Sequence, residues 1–468
     1  MPTAPLETVP AAPVTHQVLV DAQTRLKPKT VARLCDWQYL ERSLQRLLCA
    51  WGRELCEWDD KKTIHRMVWE QAECVRRLRE RLSEFPGGNP DAAVGRKLET
   101  LANTVLRAPG LEDALDGVFA NLLPSMITSY VVFSRSVNPV HDAPTVAMLH
   151  EICTIKEQHR LWYREYRRRH PHVTESAYRD RVQAALGDCG HFAEAVAVDE
   201  NDAAEPCGKN TDFRLKAAHG IPAECEGHTV DLGRLGACMD REFTTSIEAR
   251  RLFWMIGYLL EFNIPDDQMA WIWHSHFMPW GFHQDVSRHL WDESRHGDSG
   301  YARLKDFGLG LRDVGYGRYW TPPEKYAAPA GPKEMYEALY GIGMIAETAH
   351  FSVKQEAYQD FRDGGDMESA EMMLFDIIDE TTHVQYAHRW LPLLAEKAGI
   401  DHSDYKERAA RERAQKQEEW VRRTAESAVV MDDSNPDYVY YRGLLEKIRR
   451  QKPLSNAATC PVRSPKPM

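Results

Sequence analysis

Apolar residues recur three and four positions apart along most of the chain, the spacing that gathers them on one face of an α-helix. From Val31 to about His170 the pattern runs through LCDWQYLERSLQRLLCAW, HRMVWEQAECVRRLRERL and MLHEICTIKEQHRLWYREY, with Pro86-Gly87-Gly88 and Pro139 as breaks. It lapses between about Gly187 and Met239, in a stretch too long for an ordinary connection. It returns at about Asp240 and persists to about Lys397, broken at Pro265, at Pro279-Trp280-Gly281, between Gly308 and Pro332, and at Gly364-Gly365. Those breaks predict about four long helices, followed by a charged helix near Ser403 to Ala428. Alternating, β-branched runs bounded by tight turns are scarce. The expected fold class is therefore all-α. The expected organisation is a flexible arm over 1–30, a helical domain over 31–186, a loop-rich insertion or linker over 187–239, a helical bundle over 240–398, and a charged helix with a disordered tail over 399–468.

Composition narrows the function classes. With 43% hydrophobic and 10% aromatic residues the chain can bury a core. A mean hydropathy of -0.53, without an uninterrupted apolar run of about eighteen residues, argues against a membrane protein. The 59 basic and 70 acidic residues leave a net charge of -11, so there is no general attraction for nucleic acid. Ten cysteines without a Cys-x-x-Cys pair, and a start lacking a basic then apolar run, lead us to expect a reducing, cytoplasmic setting.

The informative feature is a repeat in the second helical region. Ile256-Gly257-Tyr258-Leu259-Leu260-Glu261 matches Ile342-Gly343-Met344-Ile345-Ala346-Glu347, and Trp291-Asp292-Glu293-Ser294-Arg295-His296 matches Ile378-Asp379-Glu380-Thr381-Thr382-His383. Glu261 precedes Glu293 by 32 residues and Glu347 precedes Glu380 by 33. Each helix pair thus carries one Glu and then Glu-x-x-His. Residues three apart on a helix lie about one turn apart on one side and can grip one ion together. Four carboxylates and two imidazoles inside an antiparallel four-helix bundle suit a pair of iron or manganese ions. A turn at Gly364-Gly365 brings Glu347 and Glu380 to nearly the same level, while Pro265 must kink or shorten the helix bearing Glu261.

Asp292-Glu293-Ser294-Arg295-His296 has the Asp-Glu-x-Arg-His form of bacterial multicomponent monooxygenases, and Asp379-Glu380-Thr381-Thr382-His383 matches all but its Arg. Over roughly Asp240 to Lys397 the chain resembles the ferritin-like di-iron carboxylate superfamily. The resemblance implies a ferritin-like four-helix bundle holding two iron ions, with manganese admissible at one or both positions. Glu261, Glu293, His296, Glu347, Glu380 and His383 would be the ligands. Asp292 would orient His383 and Asp379 would orient His296, fixing tautomer and ring direction. No catalytic residue beyond the ligands is implied. The expected function is a non-haem di-iron oxygenase or oxidase that uses dioxygen on a small organic substrate. The absence of a flavin or nicotinamide fingerprint calls for an external electron donor or a substrate that supplies the electrons. The alternatives are a ferritin-like storage or redox protein, or a helical interaction protein with a structural metal site. Oligomeric state stays open.

His350, three residues after Glu347, forms a third Glu-x-x-His without a counterpart after Glu261, where the aligned residue is Ile264. It is open to reading as a ligand, a donor to one of the ligand carboxylates, or a core histidine bonded to a carbonyl. Trp69-Glu70-Gln71-Ala72-Glu73-Cys74 aligns with Trp291 to His296, with Gln71 and Cys74 at the ligand places and Glu41 upstream. The amino-terminal half is accordingly either a related bundle without metal ligands or an unrelated helical domain. Trp271, Trp273, Phe277, Trp280 and Phe282 either wall a substrate pocket or fill core. Cys189, His191, Cys225 and His228 have irregular spacing, which favours unrelated loop residues over a zinc site. Trp162, Tyr163 and Tyr166, with Arg160, Arg164, Arg167, Arg168 and Arg169, read as an amphipathic surface rather than a nucleic-acid platform.

Overall fold

The helical periodicity becomes helix almost throughout the computed structural model, which describes residues 28–198, 203–218, 232–242, 246–314, 329, 331–426 and 430–451. The fold is all-α. The described residues form no strand, only an isolated bridge between Gly95 and Ala203. The N-terminal arm, the C-terminal tail, Cys225 and His228 lie outside the described residues. Contacts divide the chain into two compact units, Met1–Leu44 with Cys74–Asn210 and Gln45–Glu73 with Thr211–Met468. The segment 45–73 therefore belongs with the carboxy-terminal half, a grouping that periodicity does not reveal.

The first unit is built from parts of α1 (Pro28–Trp51) and α2 (Trp58–Ser83), with α3 (Arg96–Leu106), α4 (Leu111–Ser136), α5 (Ala143–Arg169) and α6 (Ser176–Asp188). Trp37 meets Tyr130 and Phe133 edge-on in its core. Fully buried Glu41 would be costly as a lone charge. Lys156 Nζ lies 2.6 Å from it and the Tyr130 hydroxyl donates to it at 2.7 Å. Among the described residues, no potential metal-binding group includes Glu41. Helix α4 is long and apolar enough by composition to cross a bilayer, and 56% of that window is buried in the fold. The aromatic residues of α5 turn inward: Phe119 packs against Trp162 and Tyr163, and the Tyr166 hydroxyl donates to Glu112. Arg160 and Arg168 pair with Glu157 and Glu165 on the exposed side, as an amphipathic surface requires. Cys189 is buried against the Lys97 carbonyl and His191 is exposed.

The second unit contains α7 (Leu232–Glu242), α8 (Ile247–Glu261), α9 (Ile264–His274), α10 (Trp280–Asp306) and α11 (Pro332–Leu339). Helix α11 runs through a π-helical segment, Tyr340–Glu347, into α12 (Thr348–Asp363). It is followed by α13 (Met367–Ala398), α14 (Tyr405–Glu426) and α15 (Pro436–Gln451). The Ser246 hydroxyl caps α8 by accepting the Ala249 N–H, worth about 1 kcal/mol. The helix stops at Glu261, and Pro265, tolerated only in a first turn, sits at the start of α9.

Helix α8 packs along α10, α12 along α13, and α10 along α13. Gly300 permits the first contact, because a Cβ there would come within 2.6 Å of the Met255 carbonyl oxygen and 2.7 Å of the Leu259 nitrogen. The turn into α13 uses Gly365 at φ +77°, a left-handed conformation that glycine adopts without strain. Asp366 caps α13 through the Ser369 N–H, and its carboxylate also accepts from Arg251 of α8 at 2.6 Å and Arg303 of α10 at 2.9 Å. One carboxylate thereby ties three helices together. Segment 45–73 is a further brace: Trp58 stacks on Phe262, Lys61 pairs with buried Asp266 at 2.7 Å, and His65 hydrogen-bonds the Ser294 hydroxyl.

Candidate metal centre

Helix register decides which side chains meet. On α10, His289, Glu293 and His296 follow at four- and three-residue steps and share one inward stripe. On α13, Asp376, Glu380 and His383 repeat those steps. Glu261 ends α8, Glu347 ends the π segment, and Lys354, seven residues further on, returns to the same side of α12 two turns later.

These residues form two donor groups. In one, His289, Glu293, Glu347 and His383 each offer a donor atom, all within 4.8 Å of one another and all buried. His289 Nε2 lies 2.9 Å from Glu293 Oε1 and 3.0 Å from Glu347 Oε1, and His383 Nδ1 lies 3.3 Å from Glu347 Oε1. In the other, Glu261, His296 and Asp376 converge, with His296 Nδ1 3.3 Å from Glu261 Oε2 and 3.4 Å from Asp376 Oδ1. Glu293 spans the two, its Oε1 facing His289 and His383 and its Oε2 facing His296 Nδ1 at 3.8 Å.

The outer contacts orient both imidazoles. His383 Nε2 donates to Asp292 Oδ2 at 3.3 Å, and His296 Nε2 donates to Asp379 Oδ2 at 3.2 Å. Each Asp therefore serves the histidine of the other motif, with Arg288 and Arg295 on both carboxylates. With Nε2 committed as a donor, Nδ1 of each ring is the atom turned to the carboxylates, and its lone pair serves a cation once any proton on it has left.

Of the six residues picked out as ligands, Glu261, Glu293, His296, Glu347 and His383 fall into these donor groups. Glu380 is beside them, with Oε1 accepting from Lys354. His350 joins neither group; it lies to one side of the inward line through Glu347 and Lys354 and is exposed. His289, Asp376 and Lys354 join the centre although none of them belongs to a Glu-x-x-His motif. The apolar run before Glu380 does not bury it. Leu374, Phe375 and Ile378 are exposed, so the burial of Glu380 comes from the opposite side of the helix.

The donor set fits cations. Glu347 Oε2 and Glu380 Oε2 are buried without a hydrogen-bond partner, and Nδ1 of His296 and His383 faces carboxylate oxygens alone. Such atoms are costly unless something fills the space between them. Seven carboxylates, from Glu261, Asp292, Glu293, Glu347, Asp376, Asp379 and Glu380, face three cations, Arg288, Arg295 and Lys354. The four negative charges left over equal the charge of two divalent ions. Burial opposes a charged His289, yet the Glu347 and Glu293 carboxylates outweigh it and raise this imidazole to about 10. Burial likewise lifts Glu261 to about 7, while His289 and His383 overcome burial and hold Glu347 down at about 2. In the metal-free protein, protons stand where cationic charge is needed.

A cavity of about 520 Å³ is lined by Ile342, Ile345 and Ala346, the residues leading to Glu347, and by Ile264 and Trp271 of α9. Tyr340, Arg408 and Lys416 are among its polar lining groups. Of the aromatic residues open to walling a pocket or filling core, Trp271 lines this cavity, Trp273, Trp280 and Phe282 are buried, and Phe277 is half-buried. Comparison with protein-family models, with curated proteins and with solved structures finds no match to the chain.

Proposed function

We propose that the protein is a non-haem di-iron oxygenase or oxidase, working in the cytoplasm, whose carboxy-terminal half is a ferritin-like four-helix bundle. The bundle would comprise α8, α10, the π segment with α12, and α13. The observation that carries this reading is the crossed pair His383–Asp292 and His296–Asp379, which turns Nδ1 of both rings toward the carboxylates of Glu261, Glu293, Glu347 and Asp376. Imidazole and carboxylate together suit iron, with manganese admissible at either position. His289, Glu293, Glu347 and His383 would hold one ion, and Glu261, His296, Asp376 and Glu380 the other, with Glu293 reaching both. A reduced iron pair, when bound, supplies the electrons that activate dioxygen toward a small organic substrate. The chain's own part is to fix the rings through Asp292 and Asp379, to keep water from the donor atoms by burial, and to orient the substrate. Ile264, Trp271, Ile342 and Ile345 offer the substrate an apolar wall. An external reductant completes the cycle.

The test is anaerobic loading with ferrous iron, metal analysis, and then admission of air. Two irons per chain and an oxygen-dependent visible absorption that small organic substrates perturb are the expected results. Failure to retain two ions overturns the reading. Oxidation that no organic compound affects shifts it to storage or redox duty.

A further inference from the structure

One buried cation lies against the centre on one side only. Lys354 Nζ is 2.5 Å from Asp376 Oδ2 and pairs with Glu380 Oε1, and its side chain is 2% exposed. Its ion pairs run to these two carboxylates, and the group formed by His289, Glu293, Glu347 and His383 has none with it. The Tyr258 hydroxyl donates to the same Asp376 oxygen at 2.5 Å. Asp376 Oδ1 and Glu380 Oε2, the other oxygen of each carboxylate, have no hydrogen-bond partner. The ammonium thus claims one oxygen of each carboxylate and leaves the second free to ligate.

Resting on the metal-centre reading above, we propose that Lys354 is a resident cation that makes the two metal positions unequal. The position of His289, Glu293, Glu347 and His383 is tight, the position of Glu261, His296, Asp376 and Glu380 is weak, and divalent ions enter in two resolved steps. Two physical differences set the order. The first position offers two imidazoles and no neighbouring ammonium. The second offers one imidazole and shares two of its carboxylates with a positive charge, which repels an incoming dication through a water-poor interior where Coulomb forces are strong. Loss of the Lys354 charge strengthens the second position rather than disordering it, because Tyr258 still holds Asp376. Lys354 is a positioning and charge-setting residue, held in reach by its seven-residue spacing from Glu347.

The experiment titrates metal-free full-length chain with Mn2+, reading free ion by electron paramagnetic resonance, for the wild type, Lys354→Met and Lys354→Arg. In the wild type, two ions bind with dissociation constants at least about tenfold apart. In Lys354→Met the weaker constant tightens at least about tenfold while the stronger moves less than about threefold, and Lys354→Arg keeps the wild-type split. Two equal constants in the wild type, or a weaker step that is unchanged or loosened in Lys354→Met, overturn the proposal. If circular dichroism shows that Lys354→Met does not fold, the wild-type constants decide alone. Binding of no Mn2+ overturns the metal centre itself, whereas two equal sites overturn only this inference.

Discussion

His383 on α13 donates Nε2–H to Asp292 on α10, 3.3 Å away, so a residue of one motif sets the ring direction of a residue in the other. Asp292→Asn replaces an acceptor carboxylate with an amide and removes a charge that Arg288 and Arg295 also contact. The expected result is a loss of roughly 10- to 100-fold in metal affinity with the helical content unchanged. Competition with a calibrated chelator measures the first quantity and circular dichroism the second.

Glu293 and Glu261 differ in reach. Glu293 presents one oxygen to each donor group, whereas Glu261 belongs to one. Glu293→Ala is expected to weaken both positions, leaving less than one ion per chain after gel filtration. Glu261→Ala should retain one ion, held by the group of His289, Glu347 and His383. Elemental analysis of the two variants in parallel separates these outcomes, and equal stoichiometries would deny Glu293 its spanning role.

The all-α class and most helix breaks were legible because apolar spacing, proline and paired glycines act locally. The π segment before Glu347 was not, since an extra residue in one turn barely alters a periodic pattern. Five of the residues in the donor groups were legible, because helical register puts a repeated Glu-x-x-His on a shared side of two helices and the matching hexapeptides add Glu261 and Glu347. His289 and Asp376 sit four residues before Glu293 and Glu380, the same step in both motifs. They escaped notice because one is His and the other Asp, and a repeat search rewards identity. Asp376 also stands among apolar residues, Leu374, Phe375, Ile377 and Ile378, of which Leu374, Phe375 and Ile378 face outward. Lys354 belongs to no motif, and its role exists only because α12 packs along α13.

The pH response follows from His289. Its folded value of about 10 lies above the ordinary 6.5, through Glu347 and Glu293 acting against burial. This group therefore stabilises the metal-free fold fully below pH 6.5, and the contribution fades as pH rises through about 10. Bound metal must displace the proton, so metal-loaded protein should lose this dependence and metal uptake at pH 7.5 should release protons. Thermal melts from pH 6 to 9 with and without Mn2+ test the first expectation. Calorimetry in buffers of different ionisation heat tests the second.

Breaking the brace at segment 45–73 tests whether the scaffold, rather than the donors, sets the centre. Asp266 is buried, and Lys61 and His65 overcome burial to hold its carboxyl at about 2. A depressed carboxylate stabilises the fold above its unfolded value of 3.8, and that contribution is lost as pH falls through about 2. Lys61→Met strands the negative charge, and urea unfolding at pH 7 should show a loss of about 3–5 kcal/mol. Lys61→Met combined with Asp266→Leu removes both charges and should recover most of that loss, because a buried pair replaced by apolar side chains is often neutral. The brace meets α9 and α10 through Asp266 and Ser294, next to the inward stripe of His289, Glu293 and His296. Metal affinity should therefore fall in the single variant and return in the double. A double variant with recovered stability but unrecovered affinity would show instead that the Lys61–Asp266 charge pair acts on the donors electrostatically.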